Sequence, residues 1–234
     1  MYFGMFDPTF ILLIPAIIFA FIAQSRVNSA YNNYSGVAGR NGMTGAAAAR
    51  KILDSNGLDH VSVEMGKGRL SDHYDPRKKI MRLSPDVYNG SSIASLAIAA
   101  HESGHAIQHG SKYVPLSIRN VIAVPVSIVS GLSWPLLIVG LIVIQTGYYS
   151  QGNLIFNIGI FAFVGVILFH TITLPVEFNA SRRALVQMEE LGIVLPEETG
   201  GAKKVLSAAA MTYVAALAVA VANLLRILLI RGRS

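Results

Sequence analysis

Residues 91–110 read SSIASLAIAAHESGHAIQHG, and this stretch predicts a buried helix that carries reactive side chains. Ser91 or Ser92 suits the helix start, because a serine hydroxyl accepts a hydrogen bond from the first free backbone N–H groups. The helix should run from Ile93 to a stop at Gly110. Its first half is almost wholly apolar, so the polar side chains that follow need partners inside the protein.

Two histidines and a glutamate on this helix predict a zinc site. His101 and His105 are four residues apart, so they project from one helix face and can both reach one Zn²⁺ ion at about 2.0–2.1 Å. Glu102 points to the side of the metal, where it can take a proton from water rather than bind the ion. This is the H-E-x-x-H arrangement of zinc metalloproteases. Gly104 leaves room for a close neighbour.

A catalytic zinc has three protein ligands beside an open position, and several residues compete for the third place. His109 lies eight residues after His101, about 12 Å along a continuous helix, and would reach the ion only if the helix broke. Asp72, His73 and Asp75 form a rival cluster, although Asp75 precedes a proline and is typical of a turn.

Glu177 is the other candidate, in LPVEFNASRRALVQMEELG at 174–192. It follows an apolar run, where an acid is costly unless it is paired or bound to a metal. A solvated glutamate at a helix start is the alternative interpretation. Pro175 is placed to begin this helix and Gly192 to end it. One helix face would carry Glu177, Ser181, Ala184 and Met188.

The composition is that of a membrane protein. Of the 234 residues, 53% are hydrophobic and 14% are charged, against about 25% charged in a soluble domain. A spanning helix needs about 20 mostly apolar residues, which three of the four apolar runs supply. The first run is short unless residues 2–6 extend it, and no positive charge precedes it, so we expect a retained anchor. The four runs are Phe10–Ala23, one within Ile118–Thr146, Leu154–Leu174 and Val205–Ile230.

Basic residues predict the orientation in the cell membrane. Residues 24–118 hold 11 of the 19 Lys and Arg, so this segment and the candidate site should be cytoplasmic. Four spans then place the C-terminus outside the cell, although Arg226, Arg231 and Arg233 would favour the cytoplasmic side. Either the last run does not fully cross the membrane, or the preference of basic residues for the cytoplasmic side does not hold there. Because the charges flank membrane runs, we expect a lipid bilayer and no nucleic acid as a partner.

Residues 26–114 predict a small α+β, zincin-like cytoplasmic domain. Thr44 can cap a helix that Gly57 closes, and His60–Met65 alternates as a strand does. A hairpin follows, and its second strand, Lys79–Leu83, is either internal or free to bind substrate by strand addition. The other predicted segments are a transmembrane anchor at 1–25, two transmembrane helices at 115–174, a helix supplying the third zinc ligand at 175–203 and a C-terminal membrane helix at 204–234.

Two stretches carry a family resemblance: GLDHVSVEMGKGRLSDHYDPRKKIMRLSPDVYNGSSIASLAIAAHESGHAIQH at 57–109, and LPVEFNASRRA at 174–184. They resemble the YugP-like family of bacterial membrane zinc metallopeptidases. More distantly they are similar to the gluzincin membrane proteases, which include HtpX and the CAAX prenyl proteases. The resemblance implies that His101 and His105 bind zinc and that Glu102 is catalytic.

The resemblance also implies that Glu177 is the third zinc ligand. In the distant relatives an aspartate usually stands four residues after that glutamate, where it supports a zinc ligand without binding the metal itself. Here the position is Ser181, which can hydrogen-bond a histidine but brings no charge. Asn179 could share this role.

The expected reaction is hydrolysis of a peptide bond in a protein or peptide substrate, with Glu102 moving the proton. Tyr74, His73, Arg182 and Arg183 are candidates to bind substrate or stabilise the oxyanion. The alternative is a catalytically silent scaffold or interaction protein that keeps zinc for its structure. Glu102 argues against it, because a structural site needs no base. The residues leave the oligomeric state open.

Overall fold

The computed structural model describes residues 8–68 and 71–232, and most of them are helical. The elements, in chain order, are a short 3₁₀ helix at Pro8–Leu12, then α1 (Leu13–Ser35), α2 (Gly45–Ser55), β1 (Ser62–Met65), β2 (His73–Asp75), β3 (Ile80–Leu83), α3 (Pro85–Asn89), α4 (Ile93–Gly110), α5 (Val114–Gln145), α6 (Tyr149–Glu190) and α7 (Pro196–Gly232).

Four of these helices are long and apolar enough to cross a membrane. The first consists of the 3₁₀ helix and α1 together, and the others are α5, α6 and α7. Each contains one of the apolar runs. The prediction of a mainly α, multi-pass membrane protein with a small α+β part is therefore confirmed. Residues 2–6, which were predicted to extend the first run, lie outside the described residues.

The prediction that Pro175 begins a helix is wrong. Pro175 lies inside α6, which runs without a break from the apolar run through Glu177 to Glu190. A proline removes one backbone hydrogen bond, at a cost of about 3 kcal/mol, but the turns on both sides can continue. Pro125 and Pro135 lie inside α5 in the same way. Proline is therefore a poor stop signal in the long helices of this chain.

The described residues form two compact units. We call one the membrane unit, because it holds most of the four apolar runs, and the other the site unit, because it holds the H-E-x-x-H stretch. The membrane unit comprises 8–22, 118–174 and 213–232, and the site unit comprises 23–68, 71–117 and 175–212. Long helices thus contribute to both units. The finer domain boundaries drawn from the sequence stay predictions.

The core of the site unit forms around α4. The side chains of Ile93, Leu96 and Ala100 on this helix are buried against α2 residues such as Ile52 and Leu53. Ser92 caps α4 by accepting a hydrogen bond from the Ser95 backbone N–H at 3.1 Å. Thr44 caps α2 as predicted, through the Ala47 N–H at 3.2 Å. Burial of its apolar half therefore holds α4 in place.

The sheet of the site unit has the order β1-β3-β2. The predicted hairpin is confirmed, since β2 pairs antiparallel with β3, and β1 pairs with β3 in parallel. In the turn, the Asp75 carboxylate accepts hydrogen bonds from the backbone N–H groups of Arg77 and Lys78. Strand addition to β3 is excluded, because both of its edges are already paired. Of the described strands, β1 and β2 form the outer edges of the sheet.

In the membrane unit, α5 and α6 pack closely at a glycine. A Cβ atom on Gly140 would lie 2.6 Å from the Phe156 backbone nitrogen. Leu137 and Phe163 are buried beside this contact, with Ile227 of α7 in the same cluster. Small residues commonly permit such approaches between membrane helices.

Replacing Gly140 with alanine should therefore force α5 away from α6. We expect the free energy of unfolding to fall by about 1–3 kcal/mol, as for other overpacked contacts, with a lower thermal midpoint in detergent. Gly131→Ala in the same helix is the control, because nothing lies within 4 Å of the position that its methyl group would take. Equal midpoints for the two variants would contradict the close contact.

Candidate metal centre

The centre forms where α4 meets α6. A Cβ atom on Gly104 would lie 2.5 Å from the Ala180 carbonyl oxygen, so only glycine permits this approach of the two backbones. Gly104 and Ala180 are both buried. The sequence prediction that Gly104 leaves room for a close neighbour is confirmed, and the neighbour is the helix that carries Glu177.

Three side chains converge at this contact. The Glu177 Oε2 atom lies 3.3 Å from His101 Nε2 and 3.6 Å from His105 Nε2. One ligand atom from each residue lies within 4.8 Å of the other two. Glu177 is 2% exposed, so its carboxylate sits in the interior. Two turns of α4 and the middle of α6 thus place two imidazoles and one carboxylate around a common point.

This donor set fits zinc. Two ligand atoms that each lie 2.0–2.1 Å from a tetrahedral ion are about 3.3 Å apart, close to the separations between the carboxylate and the imidazoles. Two histidines and one carboxylate are also the ligands of a common class of catalytic zinc site, which keeps a fourth position open. The three residues could therefore hold a metal ion.

Each histidine uses its other ring nitrogen to bind the protein. His105 Nδ1 lies 3.0 Å from Gln108 Oε1, and His101 Nδ1 lies 3.1 Å from Ser181 Oγ. An amide oxygen can only accept, so His105 carries its proton on Nδ1 and keeps the Nε2 lone pair for a metal. Ser181 thus contacts a histidine, His101, as the sequence predicted.

Gln108 is a supporting residue that the sequence reasoning missed. It is fully buried, and its Nε2 donates to the Val176 carbonyl oxygen at 2.8 Å and to Asn179 Oδ1 at 3.0 Å. Arg183 Nε also donates to Asn179 Oδ1, at 2.8 Å. Asn179 therefore acts one step behind His105, through Gln108. The available signal was spacing, since Gln108 follows His105 by three residues on a helix.

Glu102 directly follows His101 on α4 and is only partly buried. Burial works against protonation of His105, but the hydrogen bond to Glu177 and the charges of Glu102 and Glu177 outweigh it and raise the His105 pKa. Glu102 precedes His105 by three residues on the same helix and does not belong to the group that could hold the ion.

The structure places the remaining candidates around the C-terminal half of α4. His109 stays on the unbroken helix, outside the metal-binding group, and its Nδ1 lies 2.9 Å from the Tyr74 hydroxyl. Burial, and then the charge of Asp75, raise the Tyr74 pKa, so this hydroxyl stays protonated in its hydrogen bond with His109. Asp72 accepts hydrogen bonds from the backbone and hydroxyl of Ser84.

His73 and Arg182 are exposed. His73 Nδ1 contacts the Ser71 carbonyl at 2.8 Å, on the outer strand β2. Neither their exposure nor this contact links His73 or Arg182 to the candidate ligands. Their predicted roles in substrate binding therefore stay predictions.

Comparisons with known proteins identify the family of this chain. The family described as "Putative neutral zinc metallopeptidase" matches residues 9–232. The chain belongs to this family. It is 45% identical over 219 residues to the "Putative membrane protease YugP" of Bacillus subtilis (strain 168), which covers 94% of each chain. No solved structure matches the chain significantly. The family resemblance drawn from the two sequence stretches is thus confirmed.

Gln108→Leu should weaken zinc binding without removing a ligand. Loss of the acceptor for His105 Nδ1 frees the imidazole to rotate, and such changes typically cost about 10–100-fold in metal affinity. Gln108→Glu keeps an acceptor at this position, so its loss should be smaller. Competition with a chromogenic chelator measures both affinities, and wild-type affinity in Gln108→Leu would contradict the positioning role.

Zinc affinity should also depend on pH through His105. A protonated imidazole cannot bind a metal, so the need to deprotonate His105 lowers the affinity by about tenfold for each pH unit below its raised pKa. The same chelator competition, repeated from mildly acidic to mildly alkaline pH, measures this slope. His60→Gln removes an exposed histidine and should leave the slope unchanged, whereas a flat wild-type profile would contradict the prediction.

Proposed function

We propose that this chain is a zinc-dependent endopeptidase that hydrolyses peptide bonds near the cytoplasmic face of the membrane. The convergence of His101, His105 and Glu177 beside Glu102 carries the proposal. Membership of a zinc metallopeptidase family and similarity to a membrane protease support the same reaction.

His101 and His105 would hold the ion through Nε2, and Glu177 through its carboxylate. A bound zinc would supply a Lewis acid that polarises the scissile carbonyl and lowers the pKa of a water molecule toward neutral pH. Ser181 and Gln108 keep the two imidazoles turned toward the ion. The interior position of Glu177 limits competition from bulk water for its carboxylate.

Glu102 is the proposed general base. Its carboxylate accepts a proton from the attacking water, and the resulting carboxylic acid then donates that proton to the leaving amine nitrogen. The partial exposure of Glu102 allows substrate and water to reach it. A carboxylate beside the metal but outside the ligand group is what separates a hydrolytic site from a purely structural one.

A cavity at the C-terminal end of α4 is the proposed continuation of the substrate path. It has a volume of about 760 Å³, and Tyr74, His109 and Arg183 line it. His109 follows His105 by one helical turn, which connects this cavity to the proposed centre along α4, although Glu102 and the three candidate ligands are not among its described lining residues. The outer edge of β2, the strand that carries Tyr74, pairs with no other described strand and could pair with an extended peptide.

The cytoplasmic placement rests on charge. The segment that carries the H-E-x-x-H stretch holds 11 of the 19 Lys and Arg, and membrane proteins retain such segments on the cytoplasmic side. Substrates would accordingly be proteins or peptides at that membrane surface, including membrane proteins.

Glu102→Gln should abolish cleavage and leave zinc bound. Loss of a general base lowers rates by about 10²–10⁴-fold, while the three ligands remain in place. Purified protein in detergent is assayed for bound zinc and for cleavage of a fluorescently labelled unfolded protein. Glu189→Gln neutralises an exposed glutamate of α6 and is the matched control.

Glu177→Ala separates the ligand assignment from the catalytic one. We expect both zinc occupancy and cleavage to be lost, since only two protein ligands would remain. Full occupancy in this variant would refute Glu177 as a ligand. Zinc-loaded wild type that cleaves no faster than Glu102→Gln would instead favour a silent zinc-binding scaffold.

A further inference from the structure

A groove between α1 and α7 lies in the site unit and contains none of the metal-centre residues. Its volume is about 320 Å³. The residues that define this α1–α7 groove are Arg26, Ser29 and Asn33 from α1, and Lys204, Ser207 and Met211 from α7. Nothing in the proposed peptidase reaction uses these side chains.

Two positive charges share this groove. Arg26 and Lys204 both line it, and none of the described residues that line it is acidic. Within the described residues, neither cation takes part in an ion pair. Two like charges in one groove repel each other, so an anion bound between them would be favourable.

The nearest carboxylates along α7 are already engaged. Glu197 pairs with the Arg40 guanidinium at 2.7 Å. Glu198 is buried and accepts hydrogen bonds from the backbone N–H groups of Arg40 and Leu195, at 2.9 and 2.8 Å. These contacts hold both acids at the first turn of α7, so neither neutralises the groove.

Both cations stand at the edge of an apolar run. Arg26 comes three residues after the run that ends at Ala23, and Lys204 directly precedes the run that begins at Val205. Cationic side chains at such positions lie at the depth of lipid headgroups. The anion best placed to reach the groove is therefore part of the membrane itself.

The α7 side of the groove changes from polar to apolar along the helix. Ser29 and Ser207 offer hydroxyl groups, and Asn33 offers an amide that also contacts Ser29 Oγ at 3.4 Å. Ala208 and Met211 lie further along α7, inside its apolar run. A ligand with a charged head and an apolar body matches this gradient.

Close packing of the two helices limits the groove at its polar end. A Cβ atom on Gly201 would lie 2.6 Å from the Tyr34 ring, so α1 and α7 are in direct contact there. Because Tyr34 also lines the groove, a ligand can extend only toward Met211 and the apolar run.

We propose that the α1–α7 groove binds the headgroup of an anionic phospholipid. The phosphate lies between the Arg26 guanidinium and the Lys204 ammonium, which donate charge-assisted hydrogen bonds to its oxygens. Ser29 and Ser207 donate further hydrogen bonds, and the start of the acyl chains lies against Ala208 and Met211. The site is independent of the metal centre and of the proposed peptidase activity.

The test uses the full chain, purified and exchanged into bilayer nanodiscs of equal parts phosphatidylcholine and phosphatidylglycerol, followed by native mass spectrometry of the released protein. We expect wild type to retain phosphatidylglycerol in preference to phosphatidylcholine. Arg26→Gln and Lys204→Gln should each lower the retained phosphatidylglycerol by about fivefold, the contribution of one cation near a membrane surface.

Lys203→Gln is the matched control. Lys203 is exposed, has the same charge and stands one residue from Lys204, but does not line the groove. It should retain phosphatidylglycerol within about twofold of wild type. Equal losses for Lys203→Gln and Lys204→Gln, or no lipid preference in wild type, would overturn the site.

Thermal unfolding distinguishes lipid from soluble phosphate. The unfolding midpoint in detergent should rise when phosphatidylglycerol is added and should respond weakly to glycerol phosphate, which lacks the apolar body. An equal rise with glycerol phosphate would overturn the assignment to a membrane lipid. Both variants of the groove should lose the rise, and their far-ultraviolet circular dichroism establishes that they fold.

Discussion

The close approach of α4 to α6 at Gly104 and Ala180 is the contact on which the candidate centre depends. Without a side chain at Gly104, the two backbones come near enough for Glu177 to reach between His101 and His105. The hydrogen bond from Gln108 to the Val176 carbonyl crosses the same contact. Packing and metal geometry are therefore set by a single interhelical distance.

Neutral groups support both histidines of the centre. Ser181 contacts His101 and Gln108 contacts His105, where a carboxylate often holds a metal-binding imidazole in other proteins. A carboxylate partner raises the basicity of the ligand, so neutral partners leave more of a metal's positive charge available to polarise a carbonyl. Among the three candidate ligands, the negative charge then comes from Glu177.

A single continuous helix connects the membrane to the centre. α6 begins with an apolar run and continues through Pro175 to Glu177 and the buried Met188. Glu177 lies 72 residues after His105 in the sequence, and α5 and most of the apolar part of α6 intervene. This explains how so hydrophobic a chain can carry a polar, metal-binding site: the segment that supplies the third candidate ligand extends from a membrane span.

The sequence by itself determined the four apolar helices, the buried α4 and the pairing of His101 with His105, because these depend on hydrophobic periodicity and on spacing within one helix. It also identified Glu177, but only as a costly acid beside a membrane run and through a family resemblance. The tertiary structure decided the unbroken course of α6 through Pro175, the central position of β3 and the role of Gln108. Those features depend on contacts between elements distant in sequence, and no local pattern encodes the distance between two helices.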